Sequence, residues 1–204
     1  MIAAISYQEM LRKIREDIRH KGVLYDYVGV LFTRPSLATG QDIINDLEYY
    51  HHLTGNEFNF YLPGYSGYGG EHFIKNVNDT PWYFNNKEFA KFVKDFESNT
   101  RWTYEGESEL LLFEVHESLP DYSKVMRFYL DKMLRDKTIE SVPNFMQKLI
   151  RLCRDTDALN KISNSYGVDQ LWQHSKKEFL KRLPGGLGKV FLEEKYFCIN
   201  NMAL

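Results

Sequence analysis

Residues 23–36 of the chain, VLYDYVGVLFTRPS, form the stretch that decides the fold. Val23–Phe32 is β-rich and apolar on both faces except at Asp26, which is typical of a strand near the centre of a sheet. Thr33–Ser36 breaks that strand, because Pro35 disfavours its continuation. This stretch therefore predicts a buried strand followed by a polar turn.

The segments around this strand extend the pattern. An amphipathic helix is predicted over 6–21, where Ser6 and Glu9 have the spacing of a capping box. Beyond the turn, 41–53 has helical apolar spacing, and 56–62 alternates apolar and polar residues as a strand does. Strand, helix and strand in this order predict a right-handed βαβ unit with parallel strands.

The remaining pattern is a Gly-rich irregular segment followed by further strands and helices. We expect a loop over 63–81, a helix over 86–98 capped by Asn86, a short strand at 101–104, a buried strand at 109–115 and a strand at 123–130, although 126–134 also fits a helix. Helices are predicted over 139–153, 157–166 and 168–183, and 189–199 fits either a strand or a helix.

These elements predict one three-layer α/β domain with a mixed, mostly parallel sheet of about five strands. Residues 1–135 would carry the sheet, and 136–204 would add a mainly helical layer. The element order over 23–153 resembles that of thioredoxin-like folds. PSLATG at 35–40 lacks the redox pair of that family, and no proline precedes the strand at Glu109. Flavodoxin-like and nucleotide-hydrolase-like sheets have a similar order, so this resemblance implies no function.

Composition narrows the class of protein. The chain has 204 residues, is 43% apolar and has only two cysteines, which favours a reducing compartment. Its opening MIAAI lacks a basic leader, and no stretch approaches the roughly 18 apolar residues of a membrane span. We therefore expect a cytoplasmic protein that does not bind membranes.

Charge is distributed unevenly along the chain. Residues 41–122 carry five Lys/Arg against fifteen Asp/Glu, whereas 123–204 carry fifteen against nine. Such a split can steer a charged partner, or the two halves can attract each other within one fold. The sequence pI of about 6.3 disfavours nucleic-acid binding.

The loop PGYSGYGG at 63–70 is the most unusual segment. Glycine-rich loops after a strand bind phosphates in many α/β proteins, but this loop fits neither nucleotide-binding motif. Exposed rings of Tyr65 and Tyr68, with Ser66 between them, would instead stack on a ligand or partner. The alternative is structural, with glycines permitting a tight crossover and tyrosines packing inward.

Arg34 and Ser36 follow the first strand and would lie at the same carboxyl edge of the sheet as the Gly-Tyr loop. A guanidinium suits a phosphate or carboxylate, so we expect these residues to bind an anionic ligand. The alternative is an ordinary surface arginine.

Catalytic and metal signatures are weak. His51 and His52 are adjacent on a helix and point about 100° apart, so they cannot chelate one ion together. We predict no metal and no cofactor. If the protein is an enzyme that cleaves nucleotides, its acid–base groups would be Glu88 or Asp26 with His116.

The sequence thus predicts a non-catalytic α/β binding protein, either an accessory subunit or a sensor of a small ligand or nucleotide. Its partner would be another protein or a small anion. A glycosidic-bond hydrolase or transferase is the first alternative. The second is a scaffold that docks through the basic helix around 174–182.

Overall fold

The computed structural model describes residues 2–4, 6–21, 27–54, 59–153 and 187–204. In these ranges the helices are α1 (Tyr7–Lys21), α2 (Ala38–Asn45), α3 (Leu47–Thr54), α4 (Asn86–Asn99), α5 (Leu130–Arg135), α6 (Val142–Cys153) and α7 (Leu187–Leu192). The strands are β1 (Ile2–Ala4), β2 (Tyr27–Phe32), β3 (Asn59–Pro63), β4 (Tyr65–Ser66), β5 (His72–Val77), β6 (Thr80–Phe84), β7 (Glu109–His116), β8 (Leu119–Tyr129) and β9 (Phe197–Asn200).

Six strands form the main sheet in the order β1-β3-β2-β7-β8-β9. β3 runs parallel to β1 and β2, whereas the β2–β7, β7–β8 and β8–β9 pairs are antiparallel. The predicted mixed α/β architecture is confirmed, but parallel pairs are the minority. Within the antiparallel half, Glu117 and Ser118, both with positive φ, join β7 to β8 in a tight hairpin. The resemblance to thioredoxin-like folds stays a prediction.

The segment that follows β2 has the predicted strand–helix–strand order, and β2 and β3 are parallel. One helix was expected over 41–53, whereas the chain forms two. α2 ends where the Asp46 N–H donates to the Ile43 carbonyl at 3.2 Å, and α3 begins at the next residue. The short α2 therefore starts close to the turn that carries Arg34.

Helices cover both faces of the main sheet. α1 and α4 pack together on one face, where the rings of Phe32 and Phe96 are 5.5 Å apart. α2, α3, α5, α6 and α7 contact one another on the other face, where Phe128 packs on Phe145 and Phe191. Neighbouring positions along a strand point to opposite faces, so these two phenylalanine clusters fill separate layers of the core.

Two helix starts follow from side-chain caps. Ser6 Oγ accepts from the Glu9 N–H at 3.1 Å, as the capping-box spacing predicts. α4 is capped by Asn85, one residue before the predicted cap, and its side chain accepts from the N–H groups of Lys87 and Glu88. The cap fixes the first turn of α4 against the end of β3.

The expectation of an irregular loop over 63–81 is wrong for most of its length. β4, β5 and β6 form a separate antiparallel sheet in the order β4-β6-β5. Asn78 and Asp79 both have positive φ and make the two-residue turn between β5 and β6. Gly64 has φ +78° and separates β3 from β4, so the small sheet begins directly at the carboxyl edge of the main sheet.

The C-terminal part contributes a helix and also strands of the main sheet. The predicted strand at 123–130 is confirmed as far as Tyr129, the end of β8, and the helix α5 begins at Leu130 within the segment 126–134 that also fitted a helix. The segment 101–104, predicted as a short strand, is irregular. The ambiguous segment 189–199 contains the end of a helix, α7, and most of a strand, β9, which pairs with β8 in the main sheet. The predicted helices at 157–166 and 168–183 lie outside the described residues. None of the described helices is long and apolar enough to cross a bilayer.

Candidate functional site

The carboxyl edge of the main sheet gathers three chain segments. Because β2 and β3 are parallel, the turn with Arg34 and the turn with Tyr65 leave the sheet at the same edge. β7 is antiparallel to β2 and pairs Glu109 with Phe32, so the start of β7 lies there as well. This edge is the candidate site, and we call it the Arg34 edge.

Arg34 lies between two aromatic rings. Its guanidinium carbon is 4.9 Å from the centre of the Phe89 ring and 5.6 Å from that of Tyr104. Gly64 permits this arrangement, because a Cβ there would lie 2.7 Å from the Phe89 Cβ. Cation–π contacts of this kind contribute about 0.5–2 kcal/mol each. The side chain is therefore held in place by rings and is partly buried.

No acidic partner neutralises Arg34 among the described residues. Its Nε is buried and donates to no acceptor within those ranges, and its carboxylate neighbours pair with other groups. A guanidinium has five N–H donors and is always charged, so partial burial without an acceptor is unfavourable. The guanidinium charge is therefore left without a counter-ion in the described part of the chain.

Tyr104 completes the slot around the guanidinium. Its hydroxyl is buried and has no hydrogen-bond partner in the described part of the chain. Burial raises the Tyr104 pKa from its ordinary value of 10.0 to about 12, with Arg34 opposing the rise and nearby carboxylates adding to it. The phenol thus stays protonated at neutral pH and can donate to an anion.

The residues predicted to bind a ligand differ in exposure. Tyr65 is completely buried and its ring packs on Phe84 at 4.9 Å, so it cannot stack on a ligand at the surface. Its hydroxyl, however, finds no partner within the described ranges. Burial raises the Tyr65 pKa, followed by the effect of neighbouring Tyr104. Tyr65 therefore has a buried, unpartnered hydroxyl in this part of the protein instead of an exposed ring.

The other three predicted residues are polar or exposed. Tyr68 is 97% exposed, and its N–H donates to the buried Ser66 Oγ at 3.0 Å. Ser36 is exposed on the Arg34 turn. Only Tyr68 among these tyrosines has a ring free to stack, and Ser66 is engaged in a local turn.

Carboxylates also reach this edge, but each has a partner of its own. Glu109 Oε2 accepts from Arg127 Nε at 2.5 Å and from the Trp102 indole at 3.3 Å. Burial raises the Glu109 pKa, while Arg127 acts in the opposite direction. Glu107 Oε1 accepts from Arg135 at 3.1 Å. These pairs reduce the repulsion that an incoming anion would meet.

A buried hydroxyl network fixes the base of the site. Ser108 Oγ lies 2.8 Å from Thr33 Oγ1 and 2.7 Å from Thr39 Oγ1. Asp131 accepts from the Thr39 hydroxyl and from the Ser108 N–H, both at 2.5 Å. The network joins the end of β2 to the starts of α2, β7 and α5.

Close packing of α2 depends on Gly40. A Cβ at this position would overlap the carbonyl oxygen of Arg34 and lie 2.9 Å from Thr33 Oγ1. The missing side chain lets the first turn of α2 approach the Arg34 turn. Gln41 Nε2 then donates to the Pro35 carbonyl and holds the turn closed.

A groove of about 330 Å³ lies beside the Arg34 turn, between α2 and β5. Pro35, Ile44 and Phe73 contribute apolar surface, and the Phe73 ring is 60% exposed. Lys75 closes part of the wall by donating to the Asn45 carbonyl at 2.9 Å. The groove is large enough for a small organic group, and Pro35 is the residue of the Arg34 turn that lines it.

The residues nominated for catalysis are not brought together. Glu88 lies in the first turn of α4 near the Arg34 edge. His116 lies at the far end of β7, beyond Glu114, which pairs with Tyr27 at the opposite edge of the sheet. It is exposed and contacts the Glu114 carboxylate at 3.0 Å. Asp26 lies outside the described residues.

Metal coordination finds no support in the described ranges, where no cluster of three His, Cys, Asp or Glu side chains could hold an ion. The surrounding donors are instead a guanidinium and two phenols, which suit anions.

No known protein family, curated protein or solved structure matches the chain.

Sequence reasoning missed Tyr104, Glu107 and Asp131. Tyr104 and Glu107 reach the Arg34 edge because β7 is antiparallel to β2, so the segment before β7 lies at the carboxyl end of β2. Asp131 reaches it because β8 is antiparallel to β7 and pairs Tyr129 with Glu109, so the start of α5 lies there as well. The apolar sequence of β7 does not indicate whether this strand runs parallel or antiparallel to β2. The only signal for the site is the acidic, glycine-containing segment YEGESE at 104–109, which is unusual in composition.

Proposed function

We propose that this protein is a non-catalytic binding protein, a sensor or accessory subunit, that recognises a small anionic ligand at the Arg34 edge. Arg34 is the anion-binding residue, and the hydroxyls of Tyr65 and Tyr104 are additional donors. The observation that carries the proposal is the partly buried Arg34 guanidinium, which no carboxylate of the described residues neutralises.

The physical argument compares the free and bound states. A partly buried cation lacks some of its hydration, and the flanking rings recover only part of that loss. A carboxylate or phosphate restores hydrogen bonds that are charge-assisted and often bidentate. The free energy gained on binding an anion here therefore exceeds that at an ordinary surface arginine.

The alternatives have less support. A nucleotide-cleaving enzyme would use Glu88 or Asp26 with His116. Glu88 and His116 lie near opposite edges of the sheet, and Asp26 lies outside the described residues. A scaffold that docks through the basic segment 174–182 would use a surface outside the described residues. The ligand-binding proposal rests on groups that do meet.

Binding is tested by calorimetry and thermal shift with inorganic phosphate, acetate, citrate and adenosine monophosphate as probes. We expect at least one probe to bind, and Arg34→Gln to weaken its binding about tenfold or more, because one charge-assisted bond contributes about 1.5–3 kcal/mol. Arg34→Lys should keep only part of the affinity of the unmodified protein, because lysine lacks the planar guanidinium that binds an anion through two N–H groups.

Arg101→Gln is the matched control, because Arg101 is an exposed arginine near the same loop. It should bind the probe like the unmodified protein. Equal losses in the two variants would mean that only net charge matters, and that result would refute a site at Arg34.

A further inference from the structure

We infer that the ligand carries a hydrogen-bond donor, a hydroxyl or ammonium group, beside its anionic group, and that Glu107 accepts it. This inference rests on the proposed function, because it describes the ligand bound at the same Arg34 edge. It adds the chemistry of the ligand's second polar group.

Only one of the two carboxylate oxygens of Glu107 accepts a hydrogen bond among the described residues. One carboxylate oxygen, Oε1, accepts from Arg135 Nη1 at 3.1 Å. The other, Oε2, is buried and accepts no hydrogen bond from any group in the described ranges. A buried carboxylate oxygen that lacks a donor costs about 1–3 kcal/mol or more, so the site favours a ligand that supplies one.

The pairing of β2 with β7 brings Glu107 close to Arg34. Phe32 pairs with Glu109 in this antiparallel ladder, and one position further out the Thr33 and Ser108 hydroxyl oxygens lie 2.8 Å apart. Arg34 and Glu107 are the next residues outward on the two segments, and the Tyr104 ring centre is 5.6 Å from the Arg34 guanidinium. A ligand at this edge therefore meets both the cation and the acceptor.

The loop around Gly106 leaves the Glu107 side chain partly enclosed, with 37% of it exposed. Gly106 has φ +88°, a conformation that favours glycine, and nothing lies within 4 Å of the position of a Cβ there. Glu105, on the other side of the glycine, is exposed and pairs with Arg127 and Lys132. The two acidic residues that flank Gly106 thus have different environments, and of these two only Glu107 has a buried oxygen without a partner among the described residues.

A count of donors and acceptors gives the ligand class. Arg34 Nε, the Tyr65 hydroxyl and the Tyr104 hydroxyl are donors without acceptors in the described chain, and Glu107 Oε2 and Glu109 Oε1 are acceptors without a donor there. The Glu109 side chain is only 3% exposed, whereas that of Glu107 is 37% exposed, so a ligand at this edge reaches Glu107. A carboxylate or a fully ionised phosphate monoester only accepts hydrogen bonds, so it leaves Glu107 unsatisfied and repelled. Hydroxy acids, amino acids, sugar phosphates and aminoalkyl phosphates supply both kinds of group.

The test compares matched probes by calorimetry. One series is propionate, lactate and alanine, and the other is ethyl phosphate, 2-hydroxyethyl phosphate and phosphoethanolamine. In at least one series the donor-bearing probes should bind about tenfold or more tightly than the bare anion, the typical effect of a hydrogen bond to a charged group. The series that binds also identifies the anion as carboxylate or phosphate.

Glu107→Gln should reduce that preference to about twofold or less while bare anions bind as well as before or better, because a repelling charge is lost. Glu105→Gln is the control on the other side of Gly106 and should keep the preference. The inference is overturned if the unmodified protein binds bare and donor-bearing probes equally, or if Glu107→Gln keeps the preference.

Failure of the proposed function has a different signature. Arg34→Gln would then bind every probe like the unmodified protein, or no anion of either series would bind. Comparison of the probes on the unmodified protein needs no variant, so an unstable Glu107→Gln protein does not remove the test.

Discussion

The hydroxyl of Tyr65 should oppose folding and support binding. The side chain is completely buried and its hydroxyl has no partner among the described residues. Burial of a hydroxyl without a hydrogen bond costs about 1–3 kcal/mol in proteins. Tyr65→Phe keeps the ring and removes that cost, so the free energy of unfolding should rise by about 1–3 kcal/mol.

Urea denaturation of the free protein measures this change, and thermal unfolding provides a second reading. For a chain of this size, 1 kcal/mol corresponds to about 2–4 °C in Tm. Binding should change in the opposite direction, because the variant loses one donor to the anion. We expect about fivefold to tenfold weaker binding of whichever anionic probe binds the unmodified protein.

Two other tyrosines serve as controls. Tyr50 is also fully buried with a hydroxyl that lacks a partner in the described ranges, but it lies on α3. Tyr50→Phe should stabilise the fold without affecting binding. The Tyr7 hydroxyl instead lies 3.2 Å from that of Tyr122, so Tyr7→Phe should destabilise the protein by about 1 kcal/mol.

The reasoning is refuted if Tyr65→Phe lowers stability as Tyr7→Phe does, since the hydroxyl would then have a stabilising partner. It is also refuted if Tyr65→Phe binds the anion as tightly as the unmodified protein. A saturating anion should narrow the stability difference between the variant and the parent, because the parent gains more from binding.

Three further predictions concern the groups around the site. Arg127→Met leaves the Glu109 carboxylate buried without its cation and should lower stability by about 3–5 kcal/mol in urea denaturation, with the double variant Glu109→Gln/Arg127→Met losing less. Ser108→Ala breaks the buried hydroxyl network and should cost about 1–3 kcal/mol by the same assay, and a smaller change than 0.5 kcal/mol would contradict the network. Because the Tyr104 pKa is raised to about 12, the unfolded chain loses this proton first, so stability should fall as pH rises from about 10 to 12, and Tyr104→Phe should flatten that fall in urea midpoints.

The sequence predicted those elements whose local pattern specifies them. Ser6 and Glu9 placed the start of α1, and the parallel pair β2 and β3 followed from strand, helix and strand in succession. The location of Arg34 at the carboxyl edge followed from that pairing. Two neighbouring strands that are joined by a helix almost always run parallel with a right-handed connection, so this half of the sheet was predictable.

The rest of the sheet depended on contacts between distant segments. The apolar run of β7 is buried on both faces, and such a run fits parallel and antiparallel pairing equally well. Glycines in 63–70 obscured β4, and the turn at Asn78 and Asp79 lacks the usual glycine that marks a hairpin. Segment 189–199 was ambiguous because it contains both a helix end and a strand.

The candidate site was predictable only in part, because it also depends on contacts between distant segments. Arg34 comes from a local pattern, but its neighbours Phe89 and Tyr104 come from α4 and from the segment before β7. The exposed ring expected at Tyr65 is buried by the small sheet. Whether Tyr65 or Tyr68 faces inward depends on packing against Phe84. No local pattern in the sequence indicates which of the two rings is buried.

The position of β9 has a consequence for biosynthesis. β9 hydrogen-bonds to β8, yet α5 and α6 and a long further segment are translated between the two strands. While the ribosome makes that segment, the outer backbone groups of β8 have no β9 to pair with, and such edges recruit other chains. Slow, cool expression or a chaperone that shields nascent strands should therefore increase the yield of soluble protein.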